Sequence, residues 1–278
     1  MVRALGRGAP DSLFEVVDEA NRKFAMRAPI GDLRDGDAVT RHFLPLAAEL
    51  RGLMHLHLVP LFDVFVDKGL LCLVVELVRG RGLQAAIDGE LGPRTALLIG
   101  RQVLEGLTAV HAAGRVHRDL QPLKVLLAPM SGWELAKVAD AGIGTLIDEA
   151  LLEFGDGALT GTIPKPYAAY MAPEQVRGRS VDARTDVYAM GIMLYQMLAR
   201  RLPFWDSDPQ LVMQLQTSMP APRLDEVCRG EPWCTPEVLS MIEKALEKDR
   251  DARYADAAEM LKAVDDAILS IQHLPAES

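Results

Sequence analysis

The stretch Val116-His117-Arg118-Asp119-Leu120-Gln121-Pro122-Leu123-Lys124-Val125-Leu126-Leu127 carries the strongest signal in the chain. Two shorter segments follow it in order, Val138-Ala139-Asp140-Ala141-Gly142 and Tyr170-Met171-Ala172-Pro173-Glu174. Upstream, short β-like runs at Leu13 to Val17, Val59 to Val66 and Leu70 to Val75 surround one helix candidate from about Pro45 to Met54. Proline suits the first turn of that helix, where its missing N–H would be unpaired anyway. Gly80, Arg81 and Gly82 read as a flexible break, after which apolar residues recur at helical spacing in Ala96, Leu97, Ile99, Val103, Leu104, Leu107 and Val110. Further helices are expected at Asp186 to Ala199, Pro209 to Gln216, Pro236 to Leu246 and Ala255 to Ile271. The pattern predicts a small, mostly antiparallel sheet with one helix, followed by a helix-rich lobe. The class is α+β.

Bulk composition narrows the function. The 278 residues, 49% hydrophobic and 25% charged, suffice for a large buried core and resemble no disordered tract. A formal net charge of -9 argues against a nucleic-acid or anionic-membrane partner, since such surfaces require clustered Lys and Arg. A protein or small-molecule partner is expected instead. Cys72, Cys228 and Cys234 have neither disulfide-framework nor zinc spacing, which fits a reducing cytoplasm. The longest apolar run, Leu70 to Val78, is interrupted by Glu76 and is too short to span a bilayer. No membrane insertion is expected.

The stretch around Asp119 strongly resembles the His-Arg-Asp catalytic loop of protein kinases. Asp140-Ala141-Gly142 is similar to their Asp-Phe-Gly segment, and Ala172-Pro173-Glu174 to their Ala-Pro-Glu segment. Tyr170 to Gln175 looks more like bacterial receptor-type Ser/Thr kinases than like tyrosine kinases. The resemblance implies one two-lobed kinase-like domain over 1–278, with an N-lobe at 1–78, a hinge at 76–82, a C-lobe at 83–272 and a short tail at 273–278. It implies Asp119 as the base that accepts a substrate hydroxyl proton, Asp140 as the metal ligand of an active enzyme, and Gly6, Gly8, Arg27, Glu76 and Val78 among the nucleotide-contacting positions. His117, Arg118, Glu174, Asp186 and Arg253 take structural positions, Asp186 on the helix that supports the catalytic loop and Arg253 as the partner of Glu174.

Phosphoryl transfer depends on positioned charge around phosphate and metal, and here the chain departs from the family. Pro10 and Asp11 interrupt the loop begun by Gly6 and Gly8, removing an N–H and adding a carboxylate where backbone should approach phosphate. Arg27 stands where a lysine holds the α and β phosphates, keeping the charge but not the geometry. Leu46 falls where that lysine's glutamate partner is expected. Glu49, one turn on, is read as solvated, with a pair to Arg27 as the alternative. Gln121 replaces the lysine that steadies the transferring group, and Lys124 replaces the metal-binding asparagine. An ammonium offers only donors, so Lys124 is expected to pair with Asp119 or Asp140 and to exclude Mg²⁺. Ala141 removes the usual phenylalanine plug.

The main expectation is therefore a pseudokinase that scaffolds or allosterically regulates a protein partner. ATP is a candidate ligand and Mg²⁺ is not expected. The alternative is an active Ser/Thr kinase with non-standard active-site residues, kept open by Asp119 and Asp140. A third reading, nucleotidyl transfer on the same fold, needs a metal site just as much and ranks last. Thr160 and Thr162 are regulatory candidates, phosphorylated by a separate active kinase, with Arg118 as the group that would bind the phosphate and a phosphothreonine-binding domain as reader.

Overall fold

The computed structural model describes residues 3–6, 12–28, 44–45, 48–67, 70–89, 91–142 and 168–274. Strands β1 (Arg3–Gly6), β2 (Ser12–Val17), β3 (Lys23–Ala28), β4 (Leu61–Asp67) and β5 (Leu70–Glu76) form an antiparallel sheet in the order β1-β2-β3-β5-β4. The β2–β3 hairpin turns at Asp18, whose carboxylate accepts the Arg22 N–H at 2.8 Å, while Asn21 takes the left-handed backbone that Asn tolerates better than most residues (φ 61°). Pairing of β3 with β5 sets Arg27 opposite Leu73. Helical residues 48–50 end at a turn over 51–52, short of the expected Met54, because Gly52 disfavours continuation and Arg51 turns out to Asp63.

The larger lobe is built on two helices. Helix α1 (Leu83–Asp88) leads into α2 (Pro93–Ala112), which has proline at its start and buries Leu97, Val103, Leu104, Leu107 and Val110. Helix α4 (Ala183–Ala199) is buried on every side along Val187 to Leu198. Its central packing demands glycine at 191, where a Cβ would lie 2.9 Å from Ala245 Cβ and Leu246 Cδ2. Around it lie the short α3 (Pro173–Val176), α5 (Pro209–Ser218), α6 (Leu224–Val227), α7 (Pro236–Ala245) and α8 (Ala257–Ser270). Four of these helices begin at side-chain caps: Asp182, Asp208, Thr235 and Asp256 each accept a first-turn N–H. Apolar spacing misses such polar first turns, so α4 begins before the expected Asp186. Conversely, α8 starts after the expected Ala255 because Asp256 caps it.

A second sheet was not legible as such. Strands β6 (Arg81–Gly82), β7 (Val125–Met130) and β8 (Trp133–Val138) pair antiparallel. Of the expected flexible break at Gly80 to Gly82, Gly80 is a bend and Arg81 and Gly82 are a paired strand. Arg81 forks onto Glu134 at 2.9 and 2.8 Å, and Gly80 is glycine because a Cβ would lie 1.9 Å from the Leu127 carbonyl oxygen.

One buried ion pair joins the segment before α4 to the loop before α8. Arg253 donates to Glu174 in a two-pronged bond at 2.9 and 3.0 Å, and Thr185 Oγ1 donates to the same carboxylate at 2.8 Å. The remaining Arg253 protons go to the carbonyls of Glu247, Arg184 and Lys248, and its guanidinium lies over the Tyr188 ring. Burial pushes the Glu174 pKa up, but the bonds and charge of Arg253 more than offset this and hold it below the usual value. Because the folded pKa is lowered, the pair's stabilisation is present above the unfolded carboxylate pKa and is lost as pH falls through the folded one. Arg253→Met should cost about 3–5 kcal/mol in urea unfolding at neutral pH by stranding Glu174. The Glu174→Gln Arg253→Met double variant should recover most of that loss and lose this limb of acid sensitivity.

Candidate active site

Asp186 organises the loop that holds the candidate base. Its fully buried carboxylate, in the first turn of α4, accepts the backbone N–H of His117 at 2.8 Å and of Arg118 at 2.9 Å. His111 Nε2, from the end of α2, donates to Asp186 at 2.8 Å, and His111 Nδ1 accepts the N–H of Ala257 at 3.1 Å. Gln175 closes the ring by donating to the Arg118 carbonyl at 2.8 Å. These bonds hold Arg118 at a φ of 67°, a left-handed backbone that such a residue adopts only when its surroundings impose it. His117 spans the loop from inside, with Nε2 donating to the Ala139 carbonyl at 2.9 Å and Nδ1 accepting the Asp119 N–H at 3.3 Å.

Asp119 is presented from this loop with both oxygens engaged. Gln121 Nε2 donates to Oδ1 at 2.6 Å, and Lys124 Nζ lies 3.3 Å from Oδ2. Lys124 is carried on the helical turn Pro122–Lys124 between the loop and β7. Its ammonium also donates to Asp140 Oδ2 at 2.5 Å. Arg27 reaches down from β3 and donates to that same oxygen. Two cations thus converge on one carboxylate whose side chain is only 10% exposed. Burial would raise the Asp140 pKa, yet Lys124 and Arg27 drive it well below the ordinary carboxylate range. For Lys124 the same balance runs the other way: burial favours the neutral amine, but Asp140 and Asp119 outweigh it and raise the pKa. Asp140 also holds a left-handed backbone, with φ at 63°.

Around this centre the remaining candidates divide. Glu76 ends β5 and accepts a bond from Lys137 Nζ at 2.7 Å, and Val78 lies in the irregular link that follows. Gly6 ends β1, while Gly8, Leu46, Thr160 and Thr162 lie outside the described residues. Glu49 is neither fully solvated nor paired with Arg27: its carboxylate accepts from Arg115, beyond the end of α2. Ala141 adjoins an apolar wall of Leu50, Leu53, Leu58, Val59, Leu61 and Val75 around a void of only about 10 Å³. Leu50 stands so close to Gly142 that a Cβ there would meet it at 2.6 Å.

Sequence reasoning missed His111, Gln175 and Lys137. His111 sits on a helical stretch read for its apolar residues alone, and its partner lies 75 residues away. Gln175 directly follows the Ala172-Pro173-Glu174 segment and was quoted only for its family wording.

The donor set does not fit a magnesium site. An ammonium has no lone pair for a metal, and it occupies Asp140 Oδ2 together with a guanidinium.

Comparison with known proteins gives the family. A family model described as "Protein kinase domain" matches residues 1–264. The chain is 32% identical over 271 residues to Serine/threonine-protein kinase pkn2 of Myxococcus xanthus, covering 95% of this chain and 32% of that protein. It is 34% identical over 232 residues to Serine/threonine-protein kinase PkaB of Streptomyces coelicolor, covering 80% of this chain and 54% of that one. The chain thus spans between a third and about half of these relatives. Among solved structures, the PknI kinase domain of Mycobacterium tuberculosis superposes with a TM-score of 0.72 at 22% identity, over 95% of this chain and 94% of the other. The match over nearly the whole chain, the sheet lobe packed on a helical lobe and the loop built around Asp119 lead to one conclusion: the chain belongs to the protein kinase domain family, alongside bacterial Ser/Thr kinases.

Proposed function

We propose that this member of the kinase family acts through protein binding, as a scaffold or allosteric regulator, with a cleft that takes metal-bound nucleotide weakly or not at all. The observation that carries the reading is the Lys124 ammonium 2.5 Å from Asp140 Oδ2. A metal could reach that oxygen only by displacing both Lys124 and Arg27 from a buried carboxylate. Losing the metal and the lysine and asparagine around it removes most of the charge stabilisation that phosphoryl transfer uses. We place the protein in the cytoplasm with a protein partner. Among the described residues no helix is long and apolar enough to cross a membrane.

A second reading, an active Ser/Thr kinase with non-standard residues, draws support from the names of the relatives and from the orientation of Asp119 by Gln121 and the His117 loop. There Asp119 would take the proton of the acceptor hydroxyl, and Lys124 would have to leave Asp140 before any metal entered.

A melting-point titration with ATP separates the two, because a ligand that binds only the folded state raises the melting temperature by mass action. The proposal expects at most a small shift, unchanged by Mg²⁺. A large shift that requires Mg²⁺ would favour the active enzyme. Lys124→Asn should introduce a Mg²⁺-dependent shift that the parent chain lacks, since it replaces a donor-only group by a carbonyl ligand and leaves Arg27 alone to be displaced from Asp140 Oδ2.

For regulation, we propose that an active kinase phosphorylates Thr160 or Thr162 and that a phosphothreonine-binding domain reads the mark. Peptide mass spectrometry of protein from its native cells should find phosphate on at least one of them. Unmodified threonines in growing, starved and stressed cells alike would sink this part.

A further inference from the structure

A cavity of about 650 Å³ opens beside the Glu174–Arg253 pair, outside the catalytic loop. Its wall carries four cations, Arg177, Arg179, Lys248 and Arg250, and three carboxylates, Glu174, Asp249 and Asp251. Partners elsewhere consume much of this charge. Glu174 is neutralised by Arg253, and Asp251 accepts from Arg184. Arg250 donates to the Ser180 carbonyl at 2.9 Å and lies 3.7 Å from Asp182.

The other groups do not balance. Arg177 donates to the neutral Thr217 carbonyl at 2.8 Å, and Lys248 donates to the neutral Tyr188 hydroxyl at 2.8 Å. Arg179 is exposed and makes no side-chain bond among the described residues. Against these three cations stands Asp249, whose carboxylate accepts only the Asp251 N–H among the described residues. With Lys248 protonated the excess is two positive charges, and an anion beside it would favour that charged form. Burial first, then Arg253 and Arg177, push the Lys248 pKa down to about 7, with Glu247 pulling the other way.

We infer that this cavity is a binding site for a phosphate monoester, held by Arg177, Arg179 and Lys248. The class follows from charge and shape. A phosphoryl group carries about 1.5 to 2 negative charges near neutral pH, which matches the excess, and guanidinium forks suit its oxygens. The site is independent of whatever the interlobe cleft binds. It also has a route to the segment that ends at α3: Lys248 donates to Tyr188, Tyr188 donates to Gln216 at 2.5 Å, and Gln216 donates to the Ala169 carbonyl at 2.6 Å. Occupancy would draw Lys248 toward the anion and alter the first bond of that relay.

The test is phosphorus NMR of inorganic phosphate and of a phosphoserine peptide titrated with the full chain, at constant ionic strength set with chloride. Saturable binding is expected, weakened at least about tenfold by Arg179→Glu and unchanged by Lys124→Met in the interlobe cleft. Arg177→Gln serves as a second variant should the first alter the melting temperature. Absence of saturable binding would overturn the inference. So would binding that survives both arginine substitutions, or that Lys124→Met alone abolishes. Tighter binding of the peptide than of inorganic phosphate assigns a phosphorylated protein as the source, and equal binding assigns a free phosphate ester. Either result upholds the site, whatever the ATP titration gives.

Discussion

A single buried carboxylate, Asp186, holds the functional end of the helical lobe in place. A charge in that position would be costly if left bare. Here it takes two backbone N–H groups from the loop and one imidazole, and that imidazole in turn anchors the start of α8. Three distant stretches of chain are thereby fixed to the first turn of α4. The left-handed backbone at Arg118 and the presentation of Asp119 follow from it. Nothing in this arrangement involves a metal or nucleotide ligand, so the loop keeps its geometry whatever residues surround Asp140.

The Glu174–Arg253 pair has the same character. Its five bonds to Arg253 tie α3, α4 and the loop before α8 together at the far side of the lobe. The family resemblance was carried by residues of this structural kind. The residues that differ cluster instead around Asp140, where Arg27 and Lys124 meet.

The fold was largely legible because its signals are local or carried by family motifs. Strands β2, β4 and β5 and the long helices announce themselves through period and proline, and the His117-Arg118-Asp119 loop through its wording. What escaped was set by distance or by polar first turns. The β6–β7–β8 sheet depends on Gly80 meeting the Leu127 carbonyl, a contact between residues far apart in the chain. The first helix ends before Met54 because Gly52 disfavours continuation, a single residue against an otherwise mostly apolar stretch. At the site, a pairing of Lys124 with a neighbouring carboxylate could be read from charge alone. That Arg27 would share the same oxygen, and that Glu49 would turn to Arg115, required the lobes to be brought together.

A diffusible cation visits a carboxylate in proportion to its concentration, whereas one on a side chain has a local concentration fixed by the length of its tether. The counter-charge of Asp140 belongs to the second kind, supplied from one lobe by Arg27 and from the other by Lys124. In this arrangement the charge of Asp140 is met from within the chain. Because one of its two cations comes from each lobe, the same carboxylate also acts as a clasp between them.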